Sequence, residues 1–181
     1  MPTKRRGSKQ LKMAECPVNV EILVQEPAWG RLSFAVDNLI DSAVRAALLH
    51  CQFGKHCEVS VALMDDVSIE RLNSQWRQKR EATNVLAFPS ISVAGSCETP
   101  LLLGDIVLAF ETVMTEAKKF GISEAQHVTH LVVHGTLHLL GYDHISDTDA
   151  LKMERLEQGI LDVLGFNLFN IDQSKALDAL K

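Results

Sequence analysis

The chain has 181 residues, a length that allows one domain with a hydrophobic core of its own. Its composition, 46% hydrophobic and 23% charged, excludes disordered, collagen-like and coiled-coil classes for the chain as a whole. The formal net charge of −5 argues against a protein that coats nucleic acid through bulk positive charge.

The basic side chains are concentrated at the N-terminus. Residues 1–14 carry five of them and no acid, so the rest of the chain holds 13 basic against 23 acidic side chains, a net charge of −10. We expect residues 1–15 to form a disordered basic tail and residues 16–181 to form a single domain. No apolar run follows the basic residues, and no stretch approaches the ~20 apolar residues of a membrane span. The sequence therefore predicts a cytoplasmic protein with reduced cysteines and no membrane partner.

The spacing of apolar residues predicts the order of strands and helices. Alternating or short apolar runs predict strands over residues 18–24, 57–64, 83–88 and 101–109. Recurrence every three to four positions predicts helices over residues 32–50, 65–75, 111–120, 123–140 and 147–164. The resulting order, β-α-β-α-β-β-α-α-α, predicts one α+β domain with a mixed sheet and with helices concentrated in the C-terminal half.

Five of the seven histidines fall between residues 127 and 144. His134 and His138 are four residues apart on a predicted helix, so their imidazoles share one face and lie one turn apart. Gly141 can adopt a left-handed conformation that returns the chain and brings His144 towards them. Three nitrogen ligands with a fourth position left for water are typical of catalytic zinc. The sequence therefore predicts one Zn²⁺ per chain on these three histidines.

His130 offers an alternative pair, because it is also four residues from His134. The turn at Gly141, however, brings His144 to the C-terminal end of the helix, a full turn of ~5–6 Å away from His130. A Zn–N bond spans only ~2.0–2.1 Å. We therefore expect His130, together with His127, to contact the ligand side chains or to pack in the core.

The spacing H-x3-H-x2-G-x2-H also matches the metzincin proteases, in which a glutamate follows the first histidine and acts as general base. Here that position is Gly135, which disfavours a zinc peptidase. The proton acceptor is then metal-bound water, a substrate group, solvent or Asp143. For Asp143 the alternative roles are to orient an imidazole or to form the turn.

The run from His134 to His144 resembles the signature of the YbeY family, bacterial metal-dependent endoribonucleases that act in ribosomal RNA maturation. Further blocks at residues 72–79, 83–89 and 103–106 come in the order and spacing of the family, so the resemblance covers residues 18–165. It implies a zincin-like α+β domain with a mixed four-stranded sheet and flanking helices. Asn84 and Ala87 depart from the Asp and Ser that are frequent in the family. We expect both to lie in a short strand away from the metal motif.

The resemblance implies a zinc-dependent endoribonuclease specific for single-stranded RNA. In the family this activity serves 3′-end maturation of small-subunit (16S) ribosomal RNA and ribosome quality control. The implied partners are single-stranded and ribosomal RNA, and the ribosome or proteins associated with it. An alternative is a non-enzymatic RNA-binding ribosome assembly factor with structural zinc, although structural zinc normally has four protein ligands.

The important arginine of the family falls on Arg77, which we assign to catalysis together with His134. Its forked guanidinium suits a phosphate whose charge increases during the reaction. We expect Arg77, Lys79 and Arg80 to bind RNA as a positive rim of the metal cleft. Trp76 precedes them, and an aromatic residue at a helix end more often packs in the core than stacks on a base.

Overall fold

A computed structural model of the chain describes residues 18–90 and 100–166. The strands are β1 (Val18–Val24), β2 (Cys57–Met64), β3 (Val85–Pro89) and β4 (Leu101–Ala109). The α-helices are α1 (Val36–His50), α2 (Asp66–Arg77), α3 (Phe110–Phe120), α4 (Glu124–Leu139) and α5 (Asp147–Val163). The predicted order of elements and the α+β class are confirmed. The predicted basic tail, residues 1–15, lies outside the described residues, so its disorder stays a prediction.

The four strands form one mixed sheet in the order β1-β2-β4-β3. The pairs β1–β2 and β2–β4 are parallel, whereas β3 is antiparallel to β4 and forms an edge of the sheet. The predicted mixed four-stranded sheet is therefore confirmed. None of the helices within residues 18–90 and 100–166 is long and apolar enough to cross a membrane.

Hydrophobic side chains cover both faces of the sheet. On one face α1, α4 and α5 enclose the larger core, to which β2 contributes alternate residues: Cys57, Val59, Val61 and Leu63. On the other face Ile69 of α2 packs against Val107 and Ala109 of β4. This alternation, with a period of two, explains why the strands were visible in the sequence.

Two helix boundaries differ from the sequence prediction. The first helix begins at Val36 rather than at residue 32, because residues Pro27–Arg31 form a short 3-10 helix and Leu32 is extended. The second helix continues to Arg77, two residues beyond the predicted end. It ends there because Gln78 adopts a left-handed conformation with φ 59°.

Gly104 allows β4 to pass unusually close to β3. Its φ is +135°, and a Cβ at this position would lie 2.1 Å from the carbonyl oxygen of Phe88. We expect Gly104→Ala to lower the free energy of unfolding by about 3 kcal/mol, because both backbone strain and a clash with fixed backbone oppose it. Urea denaturation measures the change. Gly54→Ala is the control, since no atom lies within 4 Å of its Cβ position; equal stability of the two variants would contradict the prediction.

Candidate metal centre

The helix α4 is buried along most of its length and carries four of the histidines. Its N-terminus is capped by Ser123, whose side chain accepts a hydrogen bond from the backbone N–H of Gln126. At the other end Gly141 is left-handed, with φ +87°, and the N–H of Tyr142 donates to the carbonyl of Leu137. This closure reverses the chain and brings His144 back against the end of the helix.

Three imidazoles converge at this turn. His134, His138 and His144 each offer a ring nitrogen, and these nitrogens lie within 4.8 Å of one another. The Nε2 atoms of His134 and His138 are 3.0 Å apart. Zn–N bonds of ~2.0–2.1 Å at tetrahedral angles require nitrogens ~3.3 Å apart. The pair His134–His138 is close to this spacing, and with His144 the three side chains form a group that could hold one metal ion.

The hydrogen bonds of the rings fix which nitrogen faces the centre. The Nδ1 of His134 lies 2.6 Å from Oε1 of Glu157, and the Nδ1 of His138 lies 3.0 Å from the carbonyl oxygen of Tyr142. Because carbonyl and carboxylate oxygens only accept hydrogen bonds, both Nδ1 atoms carry the proton. With the proton on Nδ1, it is the Nε2 atom of each ring that is available to a cation, and these two atoms face each other.

The protonation of His138 also suits a metal ligand. Burial, followed by the neighbouring His134 and His144 rings, lowers the pKa of His138 to about 4, against the opposing effect of Asp143. The imidazole is therefore neutral at pH 7. It can bind a metal ion without first releasing a proton.

Glu157 was not found from the sequence. It lies on α5 in the stripe formed by Met153 and Ile160, and its side chain is only 8% exposed. Burial would raise the pKa of its carboxyl, but hydrogen bonds from His130 and His134 lower the pKa below its usual range. The sequence signal that could have identified Glu157 is an acidic residue in the core-facing stripe of a helix. One carboxylate oxygen holds His134 in place, and the Nε2 atom of His130 lies 3.5 Å from the other oxygen.

We expect Glu157→Gln to weaken metal affinity about 10- to 100-fold, because a neutral amide supports the His134 imidazole less well than a carboxylate does. Competition with a chromogenic chelator measures the dissociation constant. Glu154→Gln on the same helix is the matched control, since Glu154 is partly exposed and forms no ion pair with a histidine among the described residues. Unchanged affinity of Glu157→Gln would show that the carboxylate does not support the site.

The three histidines open into a cleft of about 510 Å³. Arg77, Lys79 and Asp143 line the same cleft. Asp143 accepts a hydrogen bond from the backbone N–H of His144, at 2.7 Å from its Oδ1, and thereby fixes the returning turn. Within the described part of the chain neither Arg77 nor Lys79 forms an ion pair, so their charges remain available to an anion.

Arg80 lies elsewhere. It borders a separate groove with Val67 and Glu70 of α2 and is not among the residues that line the metal cleft. Arg77, Lys79 and Glu81 line the metal cleft whereas Arg80 borders the other groove, so residues that are neighbours in sequence face different surfaces. The proposed rim around the cleft therefore consists of Arg77 and Lys79, and the RNA-binding role of Arg80 stays a prediction.

The residues that line the metal cleft correct one expectation. Asn84 and Ala87 line the metal cleft, so the expectation that their strand lies away from the metal motif is wrong. The cause is that the edge strand β3 packs across α4. Asn84 also donates from Nδ2 to Oε2 of Glu116, which His127 contacts through Nε2 at 2.8 Å. The contact joins α3, α4 and the residue before β3, and no local sequence pattern indicates it.

Comparison with known proteins gives consistent matches. A family model described as Endoribonuclease YbeY matches residues 26–165. A protein of that name from Bartonella quintana is 38% identical over 151 residues, which cover 83% of this chain and 95% of the relative. Another, from Azorhizobium caulinodans, is 42% identical over 164 residues, which cover 90% of this chain and 99% of the relative. The solution structure of TM1509 from Thermotoga maritima shares the fold, with a TM-score of 0.51, 24% identity, and coverage of 81% of this chain and 91% of that one.

Proposed function

The chain belongs to the YbeY family of endoribonucleases, and we propose that it cuts single-stranded RNA with a zinc ion held by His134, His138 and His144. The observation that carries the proposal is a single cleft lined by three converging imidazoles and by two cations, Arg77 and Lys79, that have no ion-pair partner among the described residues. An RNA phosphate presents the negative charge that such a cleft attracts.

The donor set favours zinc as the metal. Three imidazole nitrogens suit zinc, whereas magnesium and calcium prefer oxygen ligands. A site with three protein ligands also keeps a position open, as catalytic zinc sites do. When bound, the ion supplies Lewis acidity that polarises a phosphoryl oxygen and acidifies a coordinated water.

The other side chains of the cleft have distinct roles in the proposed reaction. Glu157 and the carbonyl of Tyr142 hold His134 and His138 with their Nε2 atoms towards the ion. Arg77 binds two non-bridging oxygens of the scissile phosphate and stabilises the charge that grows on them as phosphorus becomes five-coordinate. Lys79 holds a neighbouring phosphate as a point charge.

Packing around Gly135 argues against the peptidase alternative. A Cβ at Gly135 would lie 3.1 Å from the side chain of Ile106, because β4 runs close beneath α4 at this point. A glutamate at this position would have to displace Ile106 before it could serve as the general base of a metzincin. The structural-zinc alternative is also disfavoured, since the described residues provide a three-histidine group rather than four ligands.

The charge of the protein bears on its substrate in the cell. Residues 15–181 carry a net charge of −10, which opposes long-range attraction of RNA. We therefore propose that the ribosome, or a protein bound to it, presents the RNA, and that the physiological substrate is the 3′ region of small-subunit ribosomal RNA. Such a role takes place in the cytoplasm, where bacterial ribosomes are assembled.

A substrate panel tests the proposal. The zinc-loaded protein is incubated with a labelled single-stranded RNA, with the same RNA in a duplex, and with casein. We expect cleavage of the single strand at internal positions, little cleavage of the duplex and none of casein. Proteolysis without RNA cleavage would contradict the nuclease assignment, and equal cleavage of both RNA forms would contradict the single-strand preference.

A further inference from the structure

Trp76 is an exposed aromatic side chain that neither the hydrophobic core nor the metal site uses. It lies in the last turn of α2, directly before Arg77, and is 66% exposed. The expectation that Trp76 packs in the core is therefore wrong. Exposure of so much indole surface to water is unfavourable, which makes the side chain a candidate for contact with a ligand.

The indole is anchored at one place. Its ring meets Phe88 in an edge-to-face contact with 6.2 Å between centroids and 64° between planes. Phe88 in turn packs against the smaller core beside Ile69 and Leu86. A ring fixed in this way loses little conformational freedom when a second aromatic group stacks on it.

The surroundings of Trp76 connect it to the metal cleft. Arg77, next in sequence, lines the cleft, and so do Ala87 and Pro89 on either side of Phe88. The edge strand β3 thus has the cleft on one face and the Trp76–Phe88 pair on the other. Trp76 and Arg77 are consecutive residues, so the exposed indole adjoins a cation of the metal cleft.

We propose that Trp76 is a stacking platform for one base of single-stranded RNA, next to the phosphate that Arg77 binds. The inference rests on the proposed nuclease function and adds a binding subsite to it. A flat aromatic surface beside cations is the combination that binds single strands, since every base has a π-face and every nucleotide a phosphate. Bases inside a duplex are already stacked on one another, so this subsite also favours unpaired RNA.

Intrinsic fluorescence tests the contact directly, because the chain has two tryptophans of opposite exposure. Trp29 is fully buried, and its Nε1 donates to the carbonyl of Met64, so it does not reach RNA. The titration uses the zinc-loaded full chain and a single-stranded oligonucleotide made cleavage-resistant by phosphorothioate and 2′-O-methyl groups. We expect quenching in the wild type, no quenching in Trp76→Ala, and about 10-fold weaker binding by that variant.

Two further measurements separate stacking from a structural role. Trp76→Tyr should recover most of the affinity, whereas Val67→Ala, which removes another exposed apolar side chain from α2, should bind like the wild type. With cleavable RNA, Trp76→Ala should raise KM about 10-fold and change kcat little. A series of oligonucleotides, each with one base removed at a different position, locates the stacked base. At one position the missing base should weaken binding to the wild type but not to Trp76→Ala.

The outcomes distinguish this inference from the function on which it rests. If Trp76→Ala binds RNA as tightly as the wild type, and the abasic oligonucleotides affect both proteins equally, Trp76 does not stack on RNA. The nuclease assignment is not affected by that result. If the zinc-loaded wild type neither binds nor cuts single-stranded RNA, the nuclease assignment and the stacking platform both fail.

Discussion

His138→Ala is expected to lose bound metal and to lower kcat/KM for single-stranded RNA by about 1,000-fold or more. The imidazole supplies one of three converging nitrogens, and its Nε2 lies 3.0 Å from that of His134. With two nitrogens left, the site no longer closes around an ion, and the Lewis acidity on which the reaction depends is lost. Metal content per chain and the rate of RNA cleavage are measured on the same purified samples.

The control for this variant is His56→Ala. His56 is an exposed histidine in the segment before β2 and is not part of the three-histidine group. It should retain the metal content and the activity of the wild type. Circular dichroism establishes that His138→Ala is folded. Full activity in a folded, metal-depleted His138→Ala would show that the three histidines do not form the catalytic site.

Arg77→Ala is expected to lower kcat/KM about 100-fold while the metal content stays that of the wild type. The guanidinium lines the cleft and has no ion-pair partner within the described residues, so its removal takes away a cation that faces the phosphate. Most of the loss should appear in kcat, because the charge on the phosphate oxygens grows in the transition state. Steady-state kinetics on a labelled RNA, with metal analysis of each sample, measures both quantities.

Two variants serve as controls for Arg77. Arg71→Ala removes another arginine from α2, but Arg71 borders the separate groove, so its activity should remain close to that of the wild type. Arg77→Lys should recover only part of the rate, since an ammonium group cannot form the two parallel hydrogen bonds of a guanidinium. Equal activity of Arg77→Ala and Arg71→Ala would exclude a catalytic role for Arg77.

The convergence of the three histidines could be predicted from the sequence because their geometry is local. His134 and His138 share one helix face at four-residue spacing, and Gly141 adopts the left-handed conformation that its position suggested. Alternating apolar residues likewise predicted the strands. The order β1-β2-β4-β3 was not predicted, since the pairing of strands depends on tertiary contacts rather than on the pattern within each strand.

The residues that sequence reasoning missed or misplaced depend on long-range contacts. Glu157 meets His134 from 23 positions away, through the packing of α5 on α4. Glu116 joins Asn84 and His127 from two other elements. Arg80 is the converse case, because proximity in sequence suggested a surface shared with Arg77, whereas Arg80 borders a separate groove.

Stoichiometric reloading tests most directly whether the three histidines hold a catalytic metal ion. The protein is stripped with a chelator, verified as metal-free by elemental analysis, and titrated with zinc while cleavage of single-stranded RNA is followed. We predict no cleavage before zinc is added, and a linear rise that ends at one equivalent per chain. Cleavage by the metal-free protein at the rate of the loaded protein would contradict the account.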